Sequence, residues 1–75
     1  MIRLKDYAIT GLLPGGDVAF KFTTMQADAP KAVQDTLIAD LWTQFRRQHP
    51  SARSPQGGFG PPYDVPQAGD ETTDD

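Results

Sequence analysis

The chain has no cysteine and only one histidine, His49, among its 75 residues. Without cysteine there is no disulfide staple, no thiolate nucleophile and no Cys-type zinc site. A lone histidine cannot form a His pair around a metal. It also cannot form a nucleophilic triad with Ser51 and Ser54, because that Pro-rich stretch offers no rigid scaffold. The plain place for His49 is the end of a helix, before a proline and near the last carbonyls. Long apolar runs are missing as well. No uninterrupted stretch exceeds three residues, whereas crossing a bilayer takes about 20. Arg3, Lys5 and Asp6 interrupt any signal-peptide core. The expectation is therefore a chain with no membrane span, no bound cofactor and no metal, at home in the cytoplasm or in a virion.

Charge and backbone chemistry divide the chain at His49. Residues 1 to 48 hold six Lys/Arg against five Asp, and residues 49 to 75 hold one Arg against four Asp and one Glu. Five of the seven prolines and four of the seven glycines fall in the second part, whose only large apolar side chains are Phe59, Tyr63 and Val65. Such a segment cannot bury a core of its own. The expected organisation is a small domain over 1–48 and an extended or disordered tail over 49–75, with polyproline II character at Pro61 and Pro62.

Within the first part the periodicity changes once. Val18, Phe20 and Phe22 alternate with Ala19, Lys21 and Thr23, the period-2 pattern of a strand with one apolar face. Ile2 to Leu12 is also strand-like. Because Ile2 and Leu4 fall on even positions but Tyr7 and Ile9 on odd ones, its inward face should switch at a bulge near Lys5 or Asp6. Leu13-Pro14-Gly15-Gly16-Asp17 is a turn, since proline presets φ and glycine accepts φ > 0. An antiparallel hairpin follows. After Met25 the period becomes helical: Asp28 is placed to cap, Pro30 suits a first turn, and Val33, Leu37, Leu41 and Phe45 recur every four residues, flanked by Ile38 and Trp42. Arg46 and Arg47 suit the negative end of the helix dipole, and Pro50 stops the helix. The fold class is α+β, a ββα unit followed by a Pro/Gly-rich acidic tail. Ile2, Leu4, Tyr7, Ile9, Val18, Phe20, Phe22, Val33, Leu37, Ile38, Leu41 and Phe45 are expected to build a core shared with a partner chain, the hairpin and helix forming the main interface and the tail running over a neighbour.

Enzymatic chemistry finds little support in this pattern. Asp6, Asp17, Asp28, Asp35 and Asp40 are scattered and have plain roles at a bulge, a turn, a cap and a solvated helix face, and a carboxylate pair for acid-base work needs an enclosed pocket. Gly15-Gly16 and Gly57-Gly58-Phe59-Gly60 read as a turn and a linker, because neither leads from a strand into a helix and no Gly-Lys-Ser/Thr follows. Arg46, Arg47 and Arg53 form a short basic run that could touch nucleic acid. The formal net charge of −3 argues against it, since phosphate readers carry a basic balance or a clustered basic face.

Association with protein is the remaining class. One helix on a two-stranded hairpin covers one side of each element, and a hairpin of that size is marginal alone. The partner is then expected to be another protein chain, either a second copy in a homo-oligomer or a neighbour in a multi-protein complex, as with small accessory subunits of bacterial or bacteriophage assemblies. Trp42, Phe59, Pro61, Pro62 and Tyr63 are the candidate anchors: tryptophan is enriched at interface hot spots, and aromatics flanking a stiff proline pair dock at low entropic cost. An alternative reading takes Asp70, Glu71, Asp74 and Asp75 as a phosphate mimic that blocks a basic groove in nucleic-acid machinery.

Overall fold

A computed structural model describes residues 1–66. The chain runs β1 (Ile2–Leu12), β2 (Val18–Gln26), α1 (Lys31–Gln48), β3 (Arg53–Phe59) and β4 (Tyr63–Val65). The ββα order expected from the periodicity is the order that forms. The hairpin closes at residues 13–17, where the Leu13 N–H donates to the Asp17 carbonyl (2.8 Å) and the Gly16 N–H to that of Leu13 (3.0 Å). Gly16 there has φ +94°, a conformation glycine adopts without strain.

Strand β1 is the centre of the sheet. It pairs antiparallel with β2 along one edge, and along the other with β3 and then β4. The segment after residue 49 is thus extended, as composition suggested, and it is also paired. Gly57 and Gly58 sit in a strand instead of a linker, opposite Ile9 and Ala8. Pro55 is tolerated because β3 is an edge strand, where a missing N–H costs no ladder bond.

The register corrects the expected face switch at Lys5 or Asp6. Pairing between β1 and β2 runs unbroken from Leu4↔Gln26 to Leu12↔Val18, so odd residues of β1 point one way throughout and even residues the other. The one irregularity lies on the opposite edge, where Thr10↔Gln56 is followed by Leu12↔Arg53. The extra residue belongs to β3, close to Ser54 with its φ of +49°, the local distortion a bulge produces.

Helix α1 lies on the odd face. Ile9, Ala19, Leu41 and Phe45 form the buried cluster, with Tyr7, Leu13, Trp42 and Ala52 packed against it. Met25 is buried on the same face of β2. The closest approach comes at Gly11, opposite Ala19, where a Cβ would stand 3.0 Å from the Phe45 ring and 3.0 Å from Ala52 Cβ. Two small residues side by side let the phenylalanine ring settle onto the backbone.

Four of the residues expected in a shared core do not pack within this chain: Val18, Phe20 and Phe22 lie on the uncovered face of β2, and Val33 faces outward from the first turn of the helix. Ile2 and Leu4, half-buried, share the uncovered face as well. The helix also starts differently. Pro30 is its N-cap with no side-chain hydrogen bond, and Asp28 does not cap; Gln34 instead folds back to donate from Nε2 to the Ala29 carbonyl (2.6 Å). At the other end Arg46 and Arg47 occupy the last turn, and the His49 N–H donates to the Phe45 carbonyl.

Candidate interaction surface

The uncovered side of the sheet presents the even residues of β1 and β2. Directly opposed residues in an antiparallel pair share a face, so Leu12 stands beside Val18, Thr10 beside Phe20 and Ala8 beside Phe22. Val18 is 64% exposed, Phe20 58%, Phe22 54% and Leu12 49%. The two phenylalanine rings lie 5.8 Å apart, tilted by 38°. Four large apolar side chains thus form one patch at the turn end of the hairpin, with no chain over it among the described residues. Scattered apolar residues on a surface are ordinary, whereas a contiguous apolar group makes this face the candidate interaction surface.

Toward the far end the face becomes polar. Asp6 Oδ1 accepts from Thr24 Oγ1 (2.6 Å) and from the Tyr63 hydroxyl (2.9 Å), which ties β4 to the hairpin. The hydrogen bond to Asp6 holds the Tyr63 phenol above its ordinary value, with desolvation adding to it. On the other face of β1, Arg3 Nε donates to Asp64 Oδ1 (3.1 Å). This bond raises the Arg3 guanidinium and, on its partner, holds the Asp64 carboxyl below the usual carboxylate range. Both side chains are exposed, so the pair aligns the strands more than it stabilises them.

The expected anchor residues do not gather at one place. Trp42 lies half-buried against the core on the helix side: its indole N–H donates to the Tyr7 hydroxyl (3.2 Å), its ring meets Phe45 edge-on, and the Arg46 guanidinium lies 5.0 Å above it. Phe59, opposite Tyr7, is on that side too, with the Tyr7 ring 5.1 Å away and Lys5 Nζ 4.3 Å over its centroid. Tyr63 pairs with Leu4 and so belongs to the uncovered face. Pro61 and Pro62 are exposed in the link between β3 and β4. The basic run is split in the same way. Arg46 and Arg47 end the helix, while Arg53 stands opposite Leu12 at the margin of the apolar patch. The acidic stretch 70–75 lies outside the described residues.

Leu12 is the member of the patch to which the sequence pattern assigns neither a core nor an anchor position. The signal that could have found the face is the pairing of small residues, Gly11 with Ala19, which marks where a helix can approach. Among the described residues no three His, Asp or Glu side chains stand together in a way that could hold a metal ion, and no helix is long and apolar enough to cross a membrane. No known protein family matches the chain, and neither a curated protein nor a solved structure is significantly similar to it.

Proposed function

We propose that the protein is a non-enzymatic interaction subunit of a larger protein assembly, of the kind small accessory proteins supply in bacterial or bacteriophage particles, working in the cytoplasm or in a virion. The uncovered sheet face is its main docking surface, and the segment from Phe59 to Tyr63 touches a neighbour. The observation that carries this reading is the cluster of Leu12, Val18, Phe20 and Phe22, all about half exposed or more on one face. Leaving such side chains in water forgoes roughly 25 cal/mol for each Å² of apolar surface that could be buried, and a partner recovers it.

The test is a photo-crosslinking amino acid placed at position 20 in the cells that make the protein, with position 43, on the exposed side of α1, as the comparison. A discrete protein adduct from position 20 and none from position 43 is the expected outcome. Equal, diffuse labelling at the two positions overturns the reading.

A further inference from the structure

We infer that the occupant of the uncovered face is a second copy of this chain, stacked sheet on sheet with the strands of the two copies running in opposite directions. This rests on reading that face as a docking surface, and it names the partner.

The first argument is size. An aromatic side chain offers roughly 150 to 250 Å², so Phe20 and Phe22, each more than half exposed, present on the order of 100 Å² apiece. With Leu12 and Val18 the apolar centre reaches about 400 Å², at the scale of the largest patch on an ordinary monomer. Ala8, Thr10, Leu4 and Tyr63 surround it on the same face. Centre and surround together fall at the low end of the interface scale, below the ~800 Å² per partner of a standard one, which suits a reversible dimer. Sheets stack about 10 Å apart with their side chains interdigitated, and an uncovered sheet face has the flat shape that this requires.

The second argument is symmetry. Phe20 is level with Thr10 and Phe22 with Ala8, so the two rings straddle the level of Ile9. Val18 and Leu12 stand three residues to one side of that level, and Asp6 stands three residues to the other. A two-fold axis crossing the strands at Ile9 therefore seats Phe20 on the partner's Phe22 and Phe22 on the partner's Phe20, and it lays Leu12 and Val18 over the partner's Asp6 and Thr24, so the rings are the self-matching centre. A surface that meets itself in this way is the isologous contact of a two-fold dimer.

Charge selects the direction. At about 3.4 Å per residue, Asp6 lies roughly 20 Å along β1 from Leu12, beside which Arg53 stands. Opposed strands bring the Arg53 end of one copy over the Asp6 end of the other, within reach of a long side chain. Strands running the same way would instead put Asp6 over the partner's Asp6, and like charges brought together across an interface are costly.

Sedimentation equilibrium of the purified full chain over a wide concentration series tests this, alongside Phe20→Asp, Phe22→Ser, Arg53→Glu and Val33→Asp. Circular dichroism confirms that each variant folds, and Phe22→Ser substitutes for Phe20→Asp if that variant does not. The expected result is a reversible dimer for the parent chain and a monomer at every concentration for Phe20→Asp. Arg53→Glu, which turns an attraction into a repulsion, weakens the dimer about three- to ten-fold, and Val33→Asp, on the exposed flank of the helix, leaves it intact. A parent chain that stays monomeric overturns the self-pairing; if the position-20 crosslink still captures a different polypeptide, the docking reading stands without it. A dimer that survives Phe20→Asp with new exchange protection along the outer edge of β2 means edge pairing instead of stacking, and a dimer lost with Val33→Asp means a helix interface. Either overturns the proposal. An unchanged constant for Arg53→Glu overturns the opposed-strand arrangement.

Discussion

The two faces of the sheet differ in what their side chains have to do. On the helix side, the residues of β2 are Ala19, Lys21, Thr23 and Met25, a modest apolar set, yet this is the side that carries the buried cluster. On the other side, the same strand offers Val18, Phe20 and Phe22, and these face outward. The more hydrophobic face is the uncovered one. A helix settles where it can approach the backbone closely and where the central strand supplies its largest inward groups. Here Gly11 and Ala19 allow the approach, and Tyr7 and Ile9 supply the groups. Hydrophobicity of an edge strand, taken alone, says that its apolar face will be covered but does not say by which chain.

This difference between the faces can be attacked from either side. The strongest blow falls on the helix side, at Phe45, which is 1% exposed. Phe45→Ala is expected to cost about 3 to 5 kcal/mol through lost burial and the cavity it leaves, which for so small a domain amounts to loss of the folded state in a denaturant titration. Gly11→Ala on the same side should cost about 1 to 3 kcal/mol, because the added methyl stands 3.0 Å from both the Phe45 ring and Ala52 Cβ, so the tightly held ring must shift to admit it. On the uncovered side the expectation reverses. Measured at dilutions where the chain is alone, Phe22→Ser should change stability by less than about 1 kcal/mol, and a larger loss would mean that this face has internal packing that the exposure of Phe22 does not suggest.

The smallest effect concerns the link between β4 and β1, and it depends on pH. The folded carboxyl of Asp64 titrates below its ordinary value because Arg3 hydrogen-bonds to the charged form. A depressed folded value contributes to folding above the unfolded value and is lost as pH falls through the folded one. Acidification below about pH 4 should therefore raise amide exchange slightly along the Ile2↔Val65 to Leu4↔Tyr63 pairing before the helix side loosens, since an exposed pair contributes little. Asp64→Asn should remove this acid sensitivity and leave the rest of the exchange pattern unchanged. Tyr63 has the opposite sign: its phenol titrates above the ordinary value, so its bond to Asp6 persists below the unfolded value and is lost only as pH rises through the folded one, well into the alkaline range.

Alternation in β2 and the four-residue spacing from Val33 to Phe45 were enough to place the hairpin and the helix, because period-2 and period-3.6 patterns report directly on backbone geometry. Alternation also says which residues share a face. It does not say which face the chain's own helix will cover and which face is left to another chain. The parity change between Leu4 and Tyr7, taken for a bulge, is simply apolar residues on both faces of a central strand. Strand β3, Arg-Ser-Pro-Gln-Gly-Gly-Phe, carried no legible signal, since none of its side chains is buried and it forms by backbone pairing with an edge that β1 offers. The exposed apolar face was not legible as a separate surface: alternation groups Val18, Phe20 and Phe22 on one side of β2, and of the expected anchors Trp42, Phe59, Pro61, Pro62 and Tyr63, Tyr63 is the one whose pairing places it on that side.

The pairing of β4 with the start of β1 has a consequence for biosynthesis. Residues 2 to 4 are made before their partners at 63 to 65, which follow some sixty residues later. Until then the hairpin and helix stand with one side of the central strand unzipped, a template that any extended segment nearby can occupy. The start of β1 waits longest for its partner, and slowing translation across the Pro-rich link would prolong the interval in which a stranger can take that place.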